Sequence, residues 1–111
     1  MTKVVFYEEY SGAVSDQTLG SVPTNKTGYI TLVEVTNEDT SNKLKIKITD
    51  NFTDASGSSV SKTVLRWIVD TESTSVYEYK TKPKPVLGTL KVTTEGVTGT
   101  VCVLVSVEIE D

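Results

Sequence analysis

The chain closes on a strict two-residue alternation. Val101, Val103, Val105, Val107 and Ile109 take every second position, against Cys102, Leu104, Ser106, Glu108 and Glu110. A period of two held for this length predicts one long β-strand with a continuous apolar face. Its other face is apolar at Cys102 and Leu104 and turns acidic toward the end. Gly96-Val97-Thr98-Gly99-Thr100, just ahead, reads as a tight turn. The same rhythm recurs upstream. Thr2 to Glu8 predicts a first strand with Val5 and Tyr7 on one face and Val4 and Phe6 on the other. Gly28 to Asn37 predicts a second, with Tyr29, Thr31, Val33 and Val35 against Ile30 and Leu32. Lys43 to Asp50 is the cleanest amphipathic stretch, with Leu44, Ile46 and Ile48 inward and Lys43, Lys45 and Lys47 outward, where lysines discourage edge-to-edge pairing. Val60 to Val69 is a strand carrying Trp67, read as a core side chain. Thr74 to Lys80 puts Tyr77 and Tyr79 on one face, and Val86 to Thr93 is a strand with Gly88 as a bulge.

The segments between are turns. Asn37 to Asn42, Asn51 to Ser59 and Thr71 to Ser73 are polar, and Thr81-Lys82-Pro83-Lys84-Pro85 is a connection because its prolines lack ladder donors. Tyr10 to Pro23 stays open: Ser11-Gly12 has turn chemistry, and Ala13 to Gly20 is either a short edge strand or an irregular arm. No apolar run keeps a 3.6 period, and β-branched residues fill those runs, which removes helices. Strands about ten residues apart predict an all-β fold: one domain over residues 1–111, an antiparallel two-sheet β-sandwich with jelly-roll or Greek-key connections and seven to eight strands. Residues 1–25 are expected as a partly extended N-terminal arm.

Composition narrows the chemistry. A chain of 111 residues has room for one domain and buries roughly two-thirds of its unfolded surface. The net charge of −4 disfavours nucleic acid and anionic membranes as partners. No apolar run approaches a membrane span, and the start turns acidic at Glu8-Glu9, unlike a signal peptide. Cys102, the single cysteine, excludes an intrachain disulfide and reads as a small buried hydrophobe. There is no histidine, which removes Ser-His-Asp and Cys-His nucleophile systems and most catalytic zinc sets. No phosphate-binding glycine loop is present. Glu108 and Glu110 share a strand side as an acidic patch, without the cleft that a glycosidase carboxyl pair needs. Asp50-Asn51-Phe52-Thr53-Asp54 offers oxygen ligands for calcium but lacks EF-hand spacing, and such residues cap turns without metal. No catalytic, cofactor-binding or metal-binding residue is assigned, and no enzyme activity is expected.

Several strands are apolar on both faces. A two-sheet sandwich leaves each sheet one outer face, usually polar, so two-sided strands imply a cover. With no helix to supply it, the cover is expected to be another subunit. Cys102 and Leu104 are the expected contact, with Tyr77 and Tyr79 as a second candidate. The same tyrosines, with Tyr7, Tyr10 and Tyr29, frame the alternative: a carbohydrate-binding β-sandwich module with an aromatic platform, outside the cell or on its surface.

The order of segments also carries a resemblance. Gly28-Tyr29-Ile30-Thr31-Leu32-Val33-Glu34-Val35-Thr36-Asn37, a polar turn, then Lys43-Leu44-Lys45-Ile46-Lys47-Ile48-Thr49-Asp50 is similar to the layout of small jelly-roll-like viral structural proteins. These are head decoration, fibre-associated or minor capsid proteins of tailed phages and archaeal viruses. Val64-Leu65-Arg66-Trp67-Ile68-Val69, Ser73 to Tyr79, Leu87-Gly88-Thr89-Leu90-Lys91-Val92-Thr93 and Thr98-Gly99-Thr100-Val101 continue it to the C-terminus. The resemblance implies a virion location, a homo-oligomer, with a trimer favoured, and contacts with other virion or surface-assembly proteins. It carries over no catalytic residue.

Overall fold

The computed structural model describes residues 1–111 and holds nine strands and no helix. They are β1 (Thr2–Ser11), β2 (Val14–Ser21), β3 (Gly28–Asn37), β4 (Leu44–Thr53), β5 (Ser59–Val69), β6 (Ser73–Glu78), β7 (Lys84–Val86), β8 (Thr89–Glu95) and β9 (Thr100–Ile109). One sheet runs β1-β9-β3-β6, with β7 also paired to β3, and the other runs β2-β8-β4-β5. Every pairing is antiparallel. Strands that follow one another in the chain mostly fall in opposite sheets, which is jelly-roll connectivity.

The alternating valines of β9 explain its place. Val101, Val103, Val105 and Val107 are fully buried between the sheets, and β9 is flanked on both sides, by β1 and β3. Leu44, Ile46 and Ile48 of β4 bury from the facing sheet, and Leu90 and Val92 of β8 complete that layer. The β-branched content of these runs favours the pleated, half-buried surface that they form.

Four expectations change. Residues 1–25 do not extend as an arm: β1 pairs with β9 from Thr2 to Ser11, and β2 pairs with β8 at the edge of the other sheet. Burial holds them there, with Tyr10, Leu19 and Val22 in the core and the Phe6 ring lying against Gly20. The stretch Val86 to Thr93 is two strands in two sheets. The chain crosses between them at Leu87 and Gly88, whose amides both donate to the buried Asp50 carboxylate, at 2.8 and 2.9 Å. A Cβ on Gly88 would overlap the Asn51 carbonyl, so the crossing needs glycine there, and no bulge is involved. The ninth strand arises from this split. The lysines of β4 do not guard an edge, because β4 has partners on both sides; the edge strands of that sheet are β2 and β5. Finally, β4 runs on to Thr53 and β5 starts at Ser59, so the intervening loop is shorter than its polarity suggests. Ladder pairing absorbs Asn51 and Phe52.

One end of the sandwich is sealed by polar groups. Asn37 is fully buried, and its side-chain amide donates to the carbonyls of Asn42, Val69 and Asp70. The buried Asp39 carboxylate accepts from the amides of Ser41, Asn42, Thr98 and Gly99, at 2.8–3.0 Å. These bonds, first that from Thr98, hold its carboxyl far below the ordinary range. Asp39 thus ties the β3–β4 connection to the β8–β9 turn, where Gly96 supplies a positive φ.

Candidate interaction faces

The outer side of the five-stranded sheet follows from the register. With the β9 valines inward, Cys102, Leu104, Ser106 and Glu108 point out. Across the sheet, Tyr7, Leu104, Glu34 and Val76 form one row, and Val5, Ser106, Leu32 and Glu78 form the next. Glu9, Cys102, Thr36 and Thr74 form a third. Val5, Tyr7 and Val76 are each about half exposed, at 51%, 50% and 52%, while Leu32, Leu104 and Cys102 are half-buried. The result is an apolar field across four strands with glutamates in and around it.

Glu34 sits within that field, between Leu104 and Val76, half-buried and without an ion pair. The Tyr7 hydroxyl donates to Glu9 at 2.8 Å. The Cys102 thiol and then the Glu9 carboxylate beside it push its pKa upward. Tyr7 therefore stays a neutral, amphipathic surface ring at physiological pH.

The outer side of the four-stranded sheet is different. Lys45, Lys47, Arg66 and Lys91 project from it, with Ile68 opposite Lys45 and Thr93 and Glu95 beside them. Lys47 lies directly across from Arg66. Like charges at opposed positions of a ladder are destabilising. The ion pairs of the molecule are Met1 with Asp111 and Lys80 with Glu78, so none of these four cations is neutralised within the chain. The face is concave, with a depression of ≈ 670 Å³ lined by Lys45, Lys47, Arg66, Ile68, Thr93 and Glu95, among others.

Tyr77 and Tyr79 lie elsewhere. Tyr77 is opposite the buried Val33 and so turns toward the sandwich interior at the edge strand β6. Trp67, opposite the buried Ile46, does the same from the facing edge strand β5. Trp67 and Tyr77 have ring centroids 5.2 Å apart, and Tyr77 and Tyr79 5.0 Å, with tilts of 49° and 41°. Adjacent rings pack against one another at these tilts, and together they close the open side of the sandwich. Trp67 is therefore an edge plug packed against the core and is partly exposed. The tyrosines do not share a surface with Cys102 and Leu104. A flat platform for a sugar would need coplanar rings, and tilts of 49° and 41° do not provide one.

The Asp50 and Asp54 carboxylates, considered above as calcium ligands, accept amide hydrogen bonds: Asp50 from Leu87 and Gly88, Asp54 from Ser56 and Ser58. Glu110 accepts from the Tyr29 hydroxyl at 2.6 Å. The basic face escaped sequence reading. Its one visible sign was the lysine alternation of residues 43–47, and Arg66 and Lys91 join it only through pairing between distant strands.

No protein-family model and no curated protein matches this sequence. Solved structures do. A chain of the T13 IBDV viral particle aligns over 98% of this chain and 35% of its own length, with a TM-score of 0.51 and 11% identity. The Clostridium thermocellum xylanase 10B CBM22-1–GH10 modules, complexed with xylohexaose, align over 96% of this chain and 24% of theirs, with a TM-score of 0.45 and 12% identity. The chain thus spans about a third or less of the structures it resembles. At 11% identity the likeness to the viral-particle chain concerns the fold alone, and it agrees with the two-sheet topology.

Proposed function

We propose that this chain is a non-enzymatic structural module that acts through subunit contacts, as a component of a virion in a decoration, minor capsid or fibre-associated role. The observation that carries this proposal is the apolar outer face of the five-stranded sheet. Val5, Tyr7, Leu32, Val76, Cys102 and Leu104 converge there from four adjacent strands, and contiguous apolar surface of that kind marks an interaction site. The fold shared with a chain of a viral particle supports the virion as the setting. The alternative, a carbohydrate-binding module, is less well supported, because the Trp67, Tyr77 and Tyr79 rings are tilted by 49° and 41° to one another and form no coplanar platform.

Light scattering across a range of protein concentrations tests the proposal. Mass rising with concentration, or capture by a particle or partner chain, is the expected result. A monomer at every concentration that binds no partner overturns it, and glycan binding in that case establishes the alternative.

A further inference from the structure

We propose that the subunit contact joins two different faces: the acidic, apolar outer face of the five-stranded sheet of one copy seats on the basic, concave outer face of the four-stranded sheet of the next. This rests on the assembly role proposed above and specifies its geometry. The occupant of each face is a second copy of this chain, and the argument is charge complementarity. Glu9, Glu34, Glu78 and Glu108 ring or interrupt the apolar field, opposed on that side by Lys3 and Lys80. Lys45, Lys47, Arg66 and Lys91 crown the other side, opposed by Glu95 and by Asp16 at the edge strand. Pairing either face with itself would bring like charges together, which suppresses that arrangement. Pairing one with the other supplies Glu34 with a cation and gives the opposed Lys47 and Arg66 an anion to share.

Size is consistent with such a contact. Four strands of six to eleven residues, at ~3.3 Å per residue and ~4.8 Å apart, present roughly 600 Å² per copy. A contact of about 1,200 Å² in total lies at the low end for specific interfaces. The association should therefore be reversible, concentration-dependent and weakened by salt. The two faces lie on opposite sides of one sandwich. A contact joining them is heterologous and repeats nearly along a line, so copies add in an open stack and do not close into a small ring.

Two variants test this in the whole chain. Lys47→Glu with Arg66→Glu disables the basic face, and Leu104→Asn, which replaces the apolar centre with an uncharged amide that cannot pair with the cations, disables the acidic, apolar one. Each variant alone should lose self-association by on the order of tenfold or more. An equimolar mixture should form a one-to-one dimer that cannot grow, because each supplies the face the other lacks. Circular dichroism checks that strand content is kept, and salt titration of the unaltered chain gives a second readout free of folding effects, with dissociation expected as salt rises. If the Lys47→Glu, Arg66→Glu variant associates as the parent does, or if a concentration-independent trimer forms, the two-face contact is overturned while assembly stands. A parent chain that is monomeric throughout and binds no partner overturns both.

Discussion

Val103→Ala removes two methyl groups from the middle of β9, at a position with no solvent exposure. Val103 points into the space between the sheets and is flanked by Glu8 of β1 and Val35 of β3 in the ladder. Lost transfer free energy at ~0.8 kcal/mol per buried carbon gives about 1.6 kcal/mol. A residual cavity of roughly 40 Å³, at ~24 cal/mol per Å³, adds about 1 kcal/mol if the strands hold their positions. The expected loss is therefore about 2–3 kcal/mol. Lys45→Ala, at an exposed position on the outer side of β4, should change stability by less than about 0.5 kcal/mol. With a urea slope of about 1.5 kcal/mol per molar, the midpoint should fall by about 1.3–2 M for the first variant and by less than ~0.3 M for the second. Equal shifts at an unchanged slope would refute the assignment of inner and outer faces, and with it the rows on which both interaction faces depend.

Asp39→Asn should be destabilising in a pH-dependent way. The folded carboxyl titrates far below its unfolded value of about 3.9, so its stabilisation is complete above that value and fades as pH falls below it. The gap between parent and variant in urea midpoint should be widest near neutrality and narrow toward strong acid; a gap constant with pH would show that the charge of Asp39 is not what binds the two connections. Gly88→Ala should cost about 1–3 kcal/mol or more, since a Cβ overlaps the Asn51 backbone, and a thermal midpoint equal to the parent's would contradict the crossing geometry.

The fold was legible where the period of two met β-branched residues. β9 and the start of β4 were assigned to the correct faces because burial on one side forces the alternation, whereas in β3 a register shift between Ile30 and Leu32 turns Ile30 inward with Val33 and Val35 and leaves Tyr29 outward. The arm and the crossing were misread for a physical reason. β2 is an edge strand with mostly exposed residues, so its pattern carries little signal. The crossing at Leu87 and Gly88 depends on Asp50, 37 and 38 residues away in sequence. Of the contact residues, Cys102 and Leu104 fall together on an outer face because they are two apart on one strand. Tyr77 and Tyr79 do share one face, as their spacing predicts, but that this face turns inward toward Trp67 follows only from the pairing of β6 with β3 and of β5 with β4. Glu34, Val76 and Tyr7 join Leu104 only through β9 pairing with β1 and β3, and such long-range register is not written in local patterns.

Sedimentation velocity of the parent chain beside Leu104→Asn asks whether the outer face of the five-stranded sheet is a subunit contact. A side-chain amide at position 104, desolvated without a partner, would weaken the contact by about 1–3 kcal/mol. The account predicts a parent whose sedimentation coefficient rises with concentration and a variant that stays monomeric with the same strand content. A variant that associates as strongly as the parent would contradict it.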